Sequence, residues 1–180
     1  IVFFIFTVSI AIWQISSFIY HSAANEDIAF FWTKHLLFLG ICFIHVLPYH
    51  FSVLMLDLKN QKKFAVIGYI IGAVFYISEA AGGYIVSGQQ RSYWGYSGTL
   101  GPLAIPYIAF FYVYSTALTL NCYLGYKRAT TDAERLKLKY LLIGLLIGTV
   151  GSIDFLGMAG YNVYQFGYLF VDALAVIMAY

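Results

Sequence analysis

The sequence predicts an all-α integral membrane protein, folded as a single helical bundle over residues 1–180. Hydrophobic residues make up 62% of the chain, charged residues only 10%, and the mean hydropathy is +0.79. A soluble domain carries about 25% charged residues. The apolar residues also form runs of about 20, the length at which a helix crosses a bilayer core of roughly 30 Å. Together these observations predict a polytopic membrane protein whose first partner is the lipid bilayer.

Six apolar runs predict six transmembrane helices, and short polar loops separate them. The runs cover approximately residues 1–20, 30–56, 64–84, 103–126, 140–160 and 165–180. The first lacks the basic start and small-residue cleavage site of a signal peptide. Because the chain begins at Ile1 inside an apolar run, we expect it to be part of a longer protein.

The second run contains Pro48 near its far end. Proline has no backbone N–H, and its ring crowds the carbonyl one turn earlier. The sequence therefore predicts a kink in the second helix at Pro48. The segment between the third and fourth runs, residues 87–102, is rich in glycine and aromatic residues and is predicted to be a loop.

Most of the lysine and arginine residues lie in two loops, which indicates the orientation. The loop at residues 57–63 and the loop at residues 127–139 hold eight of them: Lys59, Lys62, Lys63, Lys127, Arg128, Arg135, Lys137 and Lys139. The positive-inside rule predicts that both loops are cytoplasmic. With six spans, both chain ends then fall on the cytoplasmic side.

Glycines on two of the predicted helices indicate close helix packing. Gly144 and Gly148 form a small-xxx-small pair, and Gly151 lies near the same face. Gly68 and Gly72 form a similar pair in the third run. We expect all five glycines to face neighbouring helices, because small residues let two backbones approach closely.

Three acids and one histidine are predicted at similar depths near the outer side of the bundle: His35, Glu79, Asp154 and Asp172. Ionisable groups inside a membrane are costly and usually functional. One interpretation is a shared ligand-binding pocket, which three carboxyl groups would suit to a cationic or amine-bearing molecule. The alternative is that hydrogen bonds from neighbouring helices satisfy each group separately.

No motif in the chain predicts catalysis, a metal site or a cofactor. The sequence contains no phosphate-binding glycine loop, no His-Glu-x-x-His, no paired-cysteine motif and no nucleophile elbow. His45 and His50 are five residues apart, about 140° around a helix, and so would not share a metal or haem. The net charge of +2 lies in short loops and gives no indication of nucleic acid binding.

Two stretches resemble the membrane-embedded, N-terminal seven-helix sensor region of bacterial histidine kinases. Residues 31–51, FWTKHLLFLGICFIHVLPYHF, resemble one of its early helices, with Trp32, Pro48 and His50 at the matching places. Residues 134–170 resemble its basic loop, glycine-rich helix, acid (here Asp154) and return helix. The proline of the family's last outer turn is absent, and Gln165 lies near that place.

The resemblance implies a signal-input module of a two-component system in the bacterial inner membrane. It further implies one more helix before Ile1 and a cytoplasmic output domain outside this sequence. Such a module would couple an extracytoplasmic or intramembrane stimulus to that domain.

Two other functions remain open from the sequence. A structural or accessory subunit would pack into a homo-oligomer or a larger membrane complex through its glycine and aromatic faces. A transporter would have an inverted repeat and broken helices near the midplane. The two halves of the chain contain no convincing repeat, which makes the transporter the weaker alternative.

Overall fold

The computed structural model describes residues 1–161 and 163–179, and within them the chain is mostly helical. Five helical segments are long and apolar enough to cross a membrane: Val2–His21, Glu26–Met55, Lys59–Gly82, Ala104–Arg128 and Asp132–Met158. The predicted mostly helical fold is confirmed, and the five apolar helices are consistent with a polytopic membrane protein. The predicted sixth span corresponds to a shorter apolar helix, Gly167–Ala179. Its 13 residues extend about 20 Å, which is less than the roughly 30 Å of a hydrocarbon core.

The first span is one continuous helix, whereas the second is interrupted. Helix α1 covers Val2–His21, and α2 (Glu26–Trp32) begins at Asn25, whose side chain accepts a hydrogen bond from the Ile28 N–H at 3.0 Å. A π-helical turn, α3 (Phe38–Ile41) and α4 (Val46–Met55) follow. The regular helix is interrupted at residues 42–45, just before Pro48. Because Pro48 has no N–H, the carbonyl of Ile44 cannot receive the usual helical hydrogen bond at this point.

A β-hairpin lies between the third and fourth spans, where the sequence predicted a loop. Helix α5 (Lys62–Gly82) ends at Gly83, and strands β1 (Val86–Ser92) and β2 (Gly95–Leu100) pair antiparallel. Ser92 lies opposite Gly95, so the connection has two residues, Tyr93 and Trp94. At Gly95, φ is +131° and an added Cβ would overlap the carbonyl of His21, so only glycine fits there. The hairpin is the departure from the predicted all-α fold.

The remaining helices complete the bundle. Helix α6 covers Ala104–Arg128, and α7 (Asp132–Val150) begins at Thr131, whose hydroxyl accepts from the Glu134 N–H at 3.2 Å. A short 3-10 turn leads into α8 (Asp154–Met158), and α9 (Gly167–Ala179) returns alongside α7. We call the end with the hairpin and the loop residues 22–25, 159–161 and 163–166 the hairpin end. The opposite end, with the loops at residues 57–61 and 129–131, is the basic end.

The glycines singled out in the sequence face other parts of the protein. On α7 and just after it, a Cβ at Gly144 or Gly148 would contact Ile177 or Leu174 of α9, and one at Gly151 would contact Gly167. On α5, a Cβ at Gly68 would meet the Tyr114 ring, and one at Gly72 would meet the Cys42 carbonyl and the Phe43 ring. In contrast, α5 exposes one row of apolar side chains of the kind that contacts lipid: Val66, Ile70, Val74 and Ile77.

A tighter helix contact lies at Gly40, which the sequence analysis did not single out. A Cβ on Gly40 would lie 2.7 Å from the backbone oxygen of Ser9 and 2.8 Å from the backbone nitrogen of Trp13. Both atoms belong to α1, so α3 and α1 touch backbone to backbone at this point. The second span therefore packs closely against the first span at this contact.

Candidate functional site

A cavity of about 610 Å³ lies toward the hairpin end of the bundle. Side chains from α1, the interrupted second span, the hairpin, α6, α8 and the segment leading into α9 line it. Its volume is within the roughly 300–1,000 Å³ range of small-molecule sites. Most of its wall is apolar or aromatic: Trp13, Phe18, Leu37, Phe38, Ile41, Ile44, Tyr107, Phe111, Phe155, Met158 and Val171.

Polar groups gather at the corner of the cavity beneath the hairpin. The Tyr20 hydroxyl donates to Gln165 Oε1 at 2.5 Å, and His21 Nδ1 donates to the Tyr96 carbonyl at 2.7 Å. Because a carbonyl can only accept, His21 must carry a proton on Nδ1. Asp154 also lines this cavity, and the Gly167 N–H donates to both of its carboxyl oxygens, at 3.0 and 3.1 Å. This corner joins α1, the hairpin and the start of α9.

Asp154 is the only one of the four predicted ligand-binding residues that lines the cavity. The structure therefore does not bring His35, Glu79, Asp154 and Asp172 together in this cavity. Each of the other three residues makes its own local contacts. Within the described residues, no group of three His, Cys, Asp or Glu side chains is arranged to hold a metal ion.

Glu79 is fully buried and holds the start of the hairpin. Its Oε2 accepts from the Ile85 N–H at 2.6 Å and from the Val86 N–H at 3.1 Å. Those two amides follow the left-handed turn at Gly83 and need an acceptor because they are buried. Its other oxygen, Oε1, is buried and has no hydrogen-bond partner among the described residues. Glu79 is thus a structural group that fixes the hairpin to α5 through one of its two oxygens.

His35 and Asp172 are likewise occupied locally. The His35 ring packs against Phe31 at 4.7 Å, and its backbone carbonyl accepts from the Tyr76 hydroxyl at 3.2 Å. Asp172 accepts a 2.5 Å hydrogen bond from Gln14, which joins α9 to α1. The sequence predicted similar depths in the bundle for these side chains. They do not meet, because each helix turns its polar group toward a different neighbour.

His45 lies where the second span is interrupted, and no sequence pattern assigns it a role. It is 3% exposed, and neither ring nitrogen has a hydrogen-bond partner among the described residues. Four aromatic rings surround it with centroids 4.7–6.2 Å away: Tyr107, Phe110, Phe111 and Tyr114. Two of these, Tyr107 and Phe111, also line the cavity. His45 therefore lies directly behind the cavity wall.

A row of contacts continues from His45 to the basic end. Tyr114 packs edge-on against Tyr49 at 5.2 Å, and the Tyr49 hydroxyl donates to Gln61 Oε1 at 2.9 Å. Gln61 and Asn121 exchange two amide hydrogen bonds, at 3.0 and 2.8 Å. This pair ties the loop before α5 to α6 and lines a second cavity, of about 670 Å³, between the basic loops.

The sequence offered only weak signals for this row of contacts. Asn121 and Gln61 are uncharged, and Gln61 lies in a loop whose lysines dominate the pattern. A polar amide inside an apolar run is the one feature that singles out Asn121, because such a group requires a partner inside the bundle.

No protein-family model, curated protein or solved structure matches this chain. The function is therefore inferred from the geometry and chemistry of the cavity.

Proposed function

We propose that the protein is a membrane-embedded sensory module that binds a small molecule in the cavity at the hairpin end. The observation that carries this proposal is the cavity itself, which combines a long apolar wall with one polar corner. Sites of this composition bind amphipathic small molecules, whose apolar part fills the cavity while a few polar groups fix the orientation.

Signal output is proposed to occur at the basic end. The aromatic row through His45, Tyr114 and Tyr49 reaches the Gln61–Asn121 pair without a gap. A contiguous set of packed side chains can bias a distant element when that element has two arrangements. The interrupted segment at residues 42–45, with the unpaired His45 behind the cavity wall, is the element proposed to move.

We further propose that α9 forms a sixth span, with the basic end in the cytoplasm of a bacterium and the hairpin outside. The eight basic residues of the two loops support this orientation through the positive-inside rule. The resemblance of residues 31–51 and 134–170 to the sensor region of bacterial histidine kinases supports an output to a cytoplasmic signalling domain.

The proposal predicts saturable binding of 1-aminoanthracene, a fluorescent apolar amine, to the purified protein in nanodiscs. The chain has three tryptophans, of which Trp13 and Trp94 line the cavity and Trp32 does not. In a Trp32→Phe background, energy transfer from the two remaining tryptophans should therefore report occupancy. The expected result is a saturating increase in transfer as the probe is added.

Two variants separate cavity binding from partition into lipid. Ser17 lines the cavity, so Ser17→Phe should reduce the saturable signal by filling space. Thr116 lies on the exposed face of α6, and Thr116→Phe should leave the signal unchanged. A signal that rises without saturation, equally in all three proteins, would show that the cavity takes up no ligand.

A further inference from the structure

We propose that the polar corner of the cavity recognises an alkylammonium group, with the attached apolar chain lying along the aromatic wall. This inference rests on the proposed function, because it requires that the cavity takes up a small molecule. Four observations carry it: a set of angled aromatic rings, a single acid, an unpartnered indole N–H, and an apolar remainder.

The aromatic rings at the corner come from different segments and stand at steep angles to one another. The Trp94 ring is edge-on to His21 at 5.6 Å and to Tyr164 at 5.8 Å. Tyr20 and Tyr168 line the same cavity. Rings that meet at an angle present several faces to one point, which is the arrangement that attracts a quaternary or primary ammonium group.

The charged side chains that line the cavity determine the sign of the charge that a bound ligand can carry. Asp154 is the only acid in the lining, and no lysine or arginine lines the cavity within the described part of the chain. An ionised carboxylate has about four acceptor sites on its two oxygens, and the Gly167 N–H uses only part of that capacity. Asp154 can therefore accept a further N–H donor or pair with a cation, whereas an anion would find no lysine or arginine to pair with.

Trp94 adds a second requirement on the ligand. Its indole Nε1 is buried and has no hydrogen-bond partner among the described residues. A buried donor without an acceptor costs about 1–3 kcal/mol. Satisfying this donor requires the Trp94 ring to turn its N–H toward the cavity, where a ligand oxygen close to the ammonium group accepts from it, as in an aminoalcohol or an ethanolamine or choline headgroup. The remaining wall, which includes Phe38, Ile41 and Phe111, suits an alkyl chain.

The test measures displacement of 1-aminoanthracene by three compounds that share a chain and differ in charge: hexyltrimethylammonium, 1-hexanol and hexyl sulfate. The protein is placed in nanodiscs of an uncharged galactolipid, which contains no ammonium headgroup. We expect hexyltrimethylammonium to compete at about tenfold lower concentration than 1-hexanol, the scale of one charged contact plus a cation–π contact. Hexyl sulfate should compete least.

Substitutions test whether the preference for the ammonium compound arises at the polar corner of the cavity. Asp154→Asn keeps an oxygen for the Gly167 N–H and should remove most of the preference for the ammonium compound. Trp94→Leu should reduce it about threefold. Asp27→Asn is the matched control, because Asp27 is an exposed acid at the same end of the bundle that does not line the cavity. The Asp27→Asn protein should show the same preference as the unsubstituted protein. Thermal unfolding of each variant checks that it is folded.

Addition of phosphatidylethanolamine to the nanodiscs distinguishes two sources of the ligand. Loss of probe binding would identify a lipid headgroup, and unchanged binding would identify a free amine; both are consistent with an ammonium site. Equal competition by the three hexyl compounds would overturn the inference and leave the proposed function intact. Absence of saturable probe binding would instead contradict the proposed function.

Discussion

Replacement of Glu79 with leucine is expected to destabilise the protein by about 2–6 kcal/mol. The carboxyl group is fully buried, and one oxygen accepts the N–H groups of Ile85 and Val86. Leucine has similar bulk but no acceptor, so both amides would remain buried and unpaired, at about 1–3 kcal/mol each. Because these amides begin the hairpin, β1 should lose its attachment to α5.

Thermal unfolding in detergent, followed by near-UV circular dichroism, measures this effect. Glu79→Gln is the matched control, because its side-chain carbonyl can accept from the same two amides. We expect Glu79→Gln to lose less than half of the stability that Glu79→Leu loses. Equal losses in the two variants would show that the acceptor oxygen is not what stabilises the hairpin.

Replacement of Gly40 with alanine is expected to have the second-largest effect, a destabilisation of about 3 kcal/mol or more. The added Cβ would lie 2.7 and 2.8 Å from backbone atoms of α1. Backbone atoms cannot rotate aside, so α1 and the second span would have to separate, and overpacking of this kind typically costs about 1–3 kcal/mol, occasionally more.

Gly148→Ala provides the comparison for Gly40→Ala. At Gly148 the closest atom to an added Cβ is Leu174 Cδ2, at 3.0 Å, the end of a flexible side chain. A small rotation of Leu174 relieves that contact, so the loss of thermal stability should be much smaller. If Gly148→Ala is as damaging as Gly40→Ala, the α7–α9 contact is as rigid as the α1–α3 contact.

The helical class of this protein could be predicted from its sequence, because the hydropathy signal of a membrane-spanning helix depends only on the composition and length of an apolar run. Five of the predicted spans have counterparts long enough to cross a membrane. The hairpin could not be predicted in the same way. Its residues lack a clear apolar–polar alternation, and contacts distant in sequence hold it, among them His21 to Tyr96 and Gln89 to Thr33.

The candidate site shows a different limit. The depth of Glu79, Asp154 and Asp172 along their helices could be estimated at about 1.5 Å per residue. The direction in which each side chain points could not be predicted, because contacts that form only in the folded protein decide it: two backbone amides for Glu79, the Gly167 N–H for Asp154 and Gln14 for Asp172. The five glycines face neighbours because their spacing defines a helix face, whereas Gly40 stands alone and defines none.

The central claim is that occupancy of the cavity at the hairpin end changes the arrangement of the basic end. A distance measurement between spin labels at Lys59 and Lys137 tests it most directly, since both side chains are exposed at the basic end, Lys59 just before α5 and Lys137 in the first turns of α7. The native Cys42 and Cys122 are buried and should remain unlabelled.

On saturation with 1-aminoanthracene, confirmed by energy transfer in the same sample, we expect the distribution of distances between the two labels to shift. The same addition to Ser17→Phe, whose cavity is filled, should leave the distribution unchanged. An unchanged distribution in the protein with an open and saturated cavity would contradict the account, because ligand binding would then have no effect at the end where the signal is proposed to leave.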